Sequence, residues 1–296
     1  MNLVVFKIIS IFLYLLSLLP FRLLYLLSDI LYLVIYYVFK YRRKVVEQNL
    51  LNSFPEKTID ERRKIEKKFY GHLCDLIFES LKTMTISPET MGKRFVFTNL
   101  PELTNYFDAG KSVIAVSGHY GNWEWGPLAA ANILREKVLV VYKPLSDKRF
   151  EKLINKMRSR FGAVMVPMKH TLRKIIEHKG KPHVLVLVGD QTPPRDESHY
   201  FTSFLNQPTA IFLGIEKIAL RTNDPVIYFS INKIKRGYYE CSIKHLVEAP
   251  DQTQEFEITN IHTKQLDTII RNNPEYWLWS HKRWKFSPDN LKAHHD

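Results

Sequence analysis

The stretch Val113-Ile114-Ala115-Val116-Ser117-Gly118-His119-Tyr120-Gly121-Asn122-Trp123-Glu124-Trp125 decides how this chain folds. Its first four residues form a short, unbroken apolar run, the pattern of a strand buried on both faces. Residues 117–122, with two glycines and an asparagine, read as a turn, and a helix is predicted from about Trp123. A strand that passes into a helix through such a turn is the building unit of an α/β fold. Open α/β sheets place ligands beyond the carboxyl ends of their strands, so His119 stands in a ligand-facing position. Gly118 and Gly121 are expected to let backbone approach a substrate.

The same alternation extends outward. Strands are predicted at 112–117, 138–142, 163–166, 183–188 and 225–231, with a late strand at 239–244. Helices are predicted at 59–81, 124–135, 147–161, 171–178, 209–221 and 261–272; in the first, Ile65, Phe69, Leu73, Leu76, Ile77 and Leu81 recur at helical spacing. Strands near five residues long, separated by longer amphipathic segments, predict a single α/β domain with a mixed, largely parallel sheet flanked by helices. No Pro/Gly/Ser-rich linker divides the region after residue 83.

The N-terminus differs from this pattern. Residues 3–19 are apolar apart from Lys7 and two serines, at the lower limit for a membrane-spanning helix. Pro20 ends that run, and the next, 21–39, carries Arg22 and Asp29, which makes it the weaker candidate span. The second run is expected to lie along the interface or pack on the globular body. Residues 1–40 are therefore divided off as a membrane anchor with an interfacial helix, and 41–296 as the catalytic-type domain. The first run has neither a basic n-region nor a small-x-small cleavage site, so a retained anchor is expected rather than a signal peptide. Tyr41-Arg42-Arg43-Lys44 supplies a positive flank that would keep the rest of the chain cytoplasmic. A buried helical hairpin of a soluble protein is the alternative.

With 296 residues, 45% hydrophobic and 13% aromatic, the chain can bury a full core and is not of disordered composition. The formal net charge of +13 is concentrated between residues 137 and 181, where thirteen Lys and Arg face only Asp147, Glu151 and Glu177. Such a field attracts phosphate-bearing or acidic partners: nucleic acid, anionic lipid or an acidic carrier protein. No helix-turn-helix, zinc or RNA-binding pattern accompanies the charge, and the apolar N-terminus favours the membrane over nucleic acid. Lys148, Arg149, Lys152 and Lys156 share one face of the predicted helix after Pro144, as a docking surface or a solvated face. Cys74 and Cys241 have no metal-ligand spacing, and His170, His178, His183 and His199 have none either, so no metal or other cofactor is expected.

Chemically, His119 with Glu124 in the first helical turn is a general base with an orienting carboxylate. Without an aligned serine or cysteine this suggests direct transfer of an acyl group onto an alcohol. Ser117 is a possible nucleophile, but strand alternation aims it elsewhere. From spacing alone, a structural histidine and an acid favourable at a helix N-terminus remain open.

The segment His119-Tyr120-Gly121-Asn122-Trp123-Glu124 resembles the His-x-Gly-Asn-Trp-Glu block of the lipid A late (lauroyl/myristoyl) acyltransferases, a branch of the His-x4-Asp/Glu glycerolipid acyltransferase superfamily. Further blocks follow that family's order: Asn49-Leu50 with Phe54-Pro55, Asn155-x2-Arg158-x3-Gly162, Gly189-Asp190-Gln191, and a C-terminal run holding Pro274, Glu275, Trp277, Trp279, His281, Trp284 and Lys285. The resemblance implies a glycerolipid-acyltransferase-like fold. It implies transfer of a fatty acyl chain from acyl-acyl-carrier-protein to a hydroxyl of a 3-hydroxyacyl chain on a lipid A precursor, at the cytoplasmic face of the bacterial inner membrane. It implies His119 as base and Glu124 as its partner, Arg158 on phosphate or the thioester oxyanion, and Asp190 as support. Asn122, Lys143 and Arg195 join Arg158 and Asp190 as candidate substrate-binding residues; for Arg195 a bland loop position is equally open. The segment after the DQ block, Thr192-Pro193-Pro194-Arg195-Asp196, departs from longer glycine-rich versions. Another acceptor, a lysophospholipid or an aminoacyl lipid, would need the same base chemistry. Trp277, Trp279 and Trp284, interleaved with cations, suit either the membrane interface or a cap on the core.

Overall fold

The computed structural model describes residues 2–288. From the N-terminus the chain forms α1 (Leu3–Leu18), α2 (Phe21–Leu33, continued by a π-helical turn, Val34–Val38), α3 (Arg43–Ser53), α4 (Ile59–Lys82), α5 (Pro88–Arg94), β1 (Phe95–Phe97) and α6 (Pro101–Asp108). It continues as β2 (Val113–Ser117), α7 (Trp125–Ile133), β3 (Lys137–Tyr142), α8 (Lys148–Arg158), β4 (Val164–Pro167), α9 (Thr171–Glu177) and β5 (His183–Val188). Last come β6 (Phe201–Phe204), β7 (Gln207–Ala210), α10 (Gly214–Thr222), β8 (Val226–Lys235), β9 (Tyr238–Val247) and α11 (Glu257–Asn272).

Seven strands make one sheet in the order β1-β9-β8-β2-β5-β3-β4. Every pairing in it is parallel except β8 with β9. This is the mixed, largely parallel α/β sheet expected from the sequence. β2 is central, and its apolar side chains alternate between two cores: Ile114 and Val116 pack with Leu266, Trp277 and Trp279, while Val113 and Ala115 pack with Trp125 and Leu128. All five β2 residues are buried, as a strand covered on both faces requires.

One helix expected from the sequence begins late. Residues 209–213 precede α10, and Thr209 and Ala210 belong to the β6–β7 hairpin. Leu205 and Asn206 turn that hairpin with φ of 50° and 62°, the left-handed pair a two-residue hairpin turn needs. Leu205 accepts this conformation because its side chain is fully buried and its N–H donates to Asp267 Oδ1 at 2.6 Å. The short elements α3, α5, α6 and β1 are not among those the sequence pattern predicts.

The second N-terminal run packs on the globular body, one of the two placements expected for it. α1 has 16 residues, whereas Phe21–Val38 is a continuous helix of 18, long and apolar enough by composition to cross a membrane. One side of α2 is nevertheless bound to the body: Ser28 Oγ donates to Asp75 at 2.8 Å, Tyr25 OH to Glu79 at 2.9 Å, and Asp29 pairs with Arg236 at 2.6 Å. Asp29, costly in lipid, is thereby accounted for. α1 is attached at its C-terminal end, where Lys82 Nζ donates to the carbonyls of Ser17 and Leu19, both at 2.8 Å. Its sides stay exposed at Val4, Ile8, Ile11, Phe12 and Leu15, and Phe6 meets Phe150 of α8 edge-on. The expected positive flank is partly drawn inward, since Arg42 donates to the Ser280 carbonyl and Arg43 pairs with buried Glu66 at 2.9 Å.

Candidate active site

β2 and β5 are parallel neighbours with Ser117 opposite Val188. Two residues past those paired ends, His119 and Asp190 therefore arrive side by side. His119 Nδ1 donates to Asp190 Oδ1 at 2.6 Å, and the His119 backbone N–H donates to Asp190 Oδ2 at 2.9 Å. Trp277 Nε1 donates to the same Oδ2 at 2.8 Å. The carboxylate accepts three hydrogen bonds and is almost fully buried. Because it only accepts, it holds the imidazole proton on Nδ1 and leaves Nε2 as the basic nitrogen. Gln191 Nε2 donates to His119 Nε2 at 3.1 Å.

Glu124 does not orient His119. It accepts a bidentate grip from Arg158, Nε to Oε2 at 2.8 Å and Nη2 to Oε1 at 2.5 Å. Two features explain the difference. The Trp123 ring stands edge-on to the imidazole with centroids 5.3 Å apart, and Asp190 already fills the Nδ1 side through strand register. Arg158, at the last residue of α8, then matches the carboxylate fork, a stronger partner than a single imidazole N–H. The Glu124–Arg158 pair remains near enough to act on the imidazole charge.

Burial alone would lower the His119 pKa. The charge of Asp190 and its hydrogen bond outweigh burial, with help from Glu124, and the net result is a pKa above the ordinary histidine value. For Asp190, burial would raise the pKa; the His119 charge and the three donated hydrogen bonds instead bring it down to about 2.

The turn that carries His119 is braced from every side. Leu278 N–H donates to the His119 carbonyl at 3.1 Å and Gly121 N–H to the Tyr276 carbonyl at 3.0 Å. His72 Nε2 donates to the Gly121 carbonyl at 3.1 Å; burial holds this histidine neutral, with a pKa of about 3. Asn122, expected to bind substrate, is fully buried and spends its side chain on the fold: Nδ2 donates to Glu79 Oε2 at 2.7 Å, and Oδ1 accepts from Trp125 N–H. Glu79 also accepts from Tyr239 and Tyr25, and its burial raises its pKa to about 7. The glycines serve packing rather than substrate approach. A Cβ on Gly118 would meet Leu266 at 2.8 Å, and Gly121, at φ +59°, would meet Ile231 at 2.8 Å.

Of the other expected site residues, Lys143, just after β3, and Arg195, in the loop after the DQ block, are exposed, and neither bonds to His119, Asp190 or Glu124. Ser117 is buried with its hydroxyl directed at the Gly118 and Phe229 carbonyls. Trp277 and Trp279 are core residues, at 2% and 0% exposure, so the cap on the core is the reading that holds. The separated sequence blocks meet in space: Asn49 donates to the Trp279 and His281 carbonyls, Phe54 packs on Trp279, and His281 Nε2 accepts from Thr192 N–H beside Gln191. Trp277, Gln191 and Glu79 were not singled out from the sequence as site residues. For Gln191 and Trp277 the signal was their membership of the DQ and C-terminal blocks.

The described residues thus place a histidine–carboxylate pair at adjacent strand ends of an α/β sheet, with no serine or cysteine of theirs in line with it, an arrangement compatible with transfer of a group onto a hydroxyl. The pattern of the bacterial lipid A biosynthesis acyltransferases matches residues 2–286, and the chain belongs to that family. It is 23% identical over 272 residues to a lipid A biosynthesis acyltransferase of Haemophilus influenzae, covering 90% of this chain and 83% of that one. It is 22% identical over 250 residues to the lipid A biosynthesis palmitoleoyltransferase of Escherichia coli, covering 84% and 80%, and equally to a lipid A biosynthesis acyltransferase of Shigella flexneri. The chain is an acyltransferase acting on lipid A.

Proposed function

We propose that the protein moves a fatty acyl group from an acyl-acyl-carrier-protein thioester to a hydroxyl of a 3-hydroxyacyl chain on a lipid A precursor, with His119 as the general base. The observation that carries this reading is the 2.6 Å bond from His119 Nδ1 to Asp190, which leaves Nε2 basic on the partly exposed side of the ring. A substrate hydroxyl displaces the Gln191 amide and gives its proton to Nε2 as its oxygen attacks the thioester carbonyl. Collapse of the tetrahedral intermediate breaks the C–S bond, and the imidazolium returns the proton to the departing thiolate. Asp190 stabilises the imidazolium between these steps.

Arg158 keeps three N–H groups beyond the two held by Glu124, suited to a substrate phosphate or to the developing oxyanion. Exposed Lys143 and Arg195 fit outer phosphate contacts. α8, with no buried residue and an excess of cations, supplies a basic surface for the acidic carrier or for anionic lipid. It lies beside apolar α1, which together with Phe21–Val38 would place the enzyme on the cytoplasmic face of the inner membrane.

Mass spectrometry of lipid A from cells with and without the gene tests the acceptor. Loss of one acyl chain supports the proposal. Unchanged lipid A with altered phospholipids or aminolipids would overturn it in favour of another lipid acceptor.

A further inference from the structure

Beside Asp190, and not lined by His119, lies a small cavity with room for about one water molecule. Its lining includes Ser117, Asp190, Tyr228, His262 and Arg283. Arg283 is 1% exposed, and a buried guanidinium is costly unless charge and hydrogen bonds offset it. Among the described residues its guanidinium makes one hydrogen bond: Nη2 donates to the Ala210 carbonyl at 2.7 Å. Nε and Nη1 have no hydrogen-bond partner among the described residues, and neither has His262 Nε2. Asp190 is the one carboxylate that lines the cavity.

We propose that Arg283 is a positioning residue, the buried counter-charge of Asp190, which fixes how strongly Asp190 holds a proton on His119. Asp190 thus lies between two cationic partners, the imidazolium formed in the reaction and a permanent guanidinium across the cavity. Without Arg283 the full field of the carboxylate would fall on His119, and the imidazolium would be held too tightly to act as a base at neutral pH. Arg283 balances that pull. The other titratable groups around Asp190 are His262 and His281, both kept neutral by burial, with pKa values of about 4, and Tyr228, whose burial keeps its hydroxyl protonated. None of them supplies a positive charge near neutral pH. Burial also brings the Arg283 pKa down to about 10, so it stays charged throughout the working range.

The inference rests on the proposed role of His119 for its functional meaning, but it can be tested on the free enzyme. The His119 imidazole is titrated by NMR in the full-length protein in detergent, with its resonance assigned by comparison with His119→Asn. Arg283→Met should raise the His119 pKa by about one pH unit, as expected when a unit charge is removed from a protein interior, and should move the acid limb of kcat/KM upward equally. Arg283→Lys should restore both. Arg283→Gln, which keeps a donor for the Ala210 carbonyl, carries the same test if the methionine variant does not fold. A His119 pKa unmoved in the neutral variants, or shifted equally in Arg283→Lys, overturns the proposal. If the imidazole shifts while the rate profile does not, His119 is not the base, and the proposed function fails instead.

Discussion

Asp190→Asn separates the two carboxylates that could serve His119. Asp190 Oδ2 accepts two N–H groups, from the His119 backbone and Trp277, whereas Oδ1 accepts only from His119 Nδ1. An asparagine would place its carbonyl oxygen where two donors converge and turn its NH2 toward Nδ1. That arrangement moves the imidazole proton to Nε2 and removes the base while leaving the packing intact. Tautomer inversion of this kind in a serine-hydrolase triad costs about 10⁴ in rate. A loss of about 10³- to 10⁴-fold in kcat is expected here, equivalent to about 4–5.5 kcal/mol of transition-state stabilisation.

Stability should fall as well, because the neutral amide leaves buried Arg283 without its counter-charge. Lowering the Asp190 pKa to about 2 corresponds to about 2 kcal/mol of folding stability at neutral pH. A depressed carboxylate pKa stabilises above the unfolded value, and that contribution disappears as pH falls toward 2. The assay is single-turnover acyl transfer by the purified variant, with urea unfolding in the same detergent as control. A folded Asp190→Asn enzyme within about tenfold of wild type would refute the assignment, especially if Glu124→Gln were inactive.

Three further variants test the same geometry. Glu124→Gln frees Arg158 from its bidentate seat and should lower kcat/KM by about one to two orders of magnitude, measured by steady-state transfer, because a small misplacement of a positioned cation is costly. The same variant should move the acid limb of the pH profile downward. On the proposed mechanism the wild-type limb should lie above the ordinary histidine value, because activity should rise as His119 loses its proton and Glu124 is one of the groups that raise that pKa. Glu79→Ala leaves the donors on Asn122, Tyr25 and Tyr239 without their acceptor and should cost about 3 kcal/mol or more in urea unfolding, and Asn122→Ala should reduce stability and kcat without raising KM for the acceptor.

The framework of this site was legible because one short segment carried two independent signals. The unbroken apolar run at 113–116 marked a central strand, and the glycine turn after it put His119 at a strand end. The identity of its partner was not legible. Asp190 is 71 residues away and reaches His119 only because β2 and β5 are adjacent and in register, a fact of sheet order that local spacing does not carry. Glu124 looked closer along the chain but is turned outward to Arg158.

Asn122 misled for a related reason. A polar residue in a glycine turn resembles a ligand, yet this one is buried against Glu79, which occupies the inward face of a helix recognised by its apolar residues alone. α4 in fact buries Glu66, His72, Asp75 and Glu79, each with a partner from a distant element. Sequence alone leaves the tryptophans open between membrane and core; in the fold the C-terminal segment crosses the His119 turn and pins it, with Trp277 and Trp279 buried.

The most direct test is acyl transfer by purified His119→Ala beside wild type, with acyl-acyl-carrier-protein and lipid A precursor as substrates and product mass as the readout. Wild type should add one acyl chain to the precursor, and the folded variant should add none above background. A folded His119→Ala protein that acylates the precursor at near wild-type rate would contradict the general-base assignment.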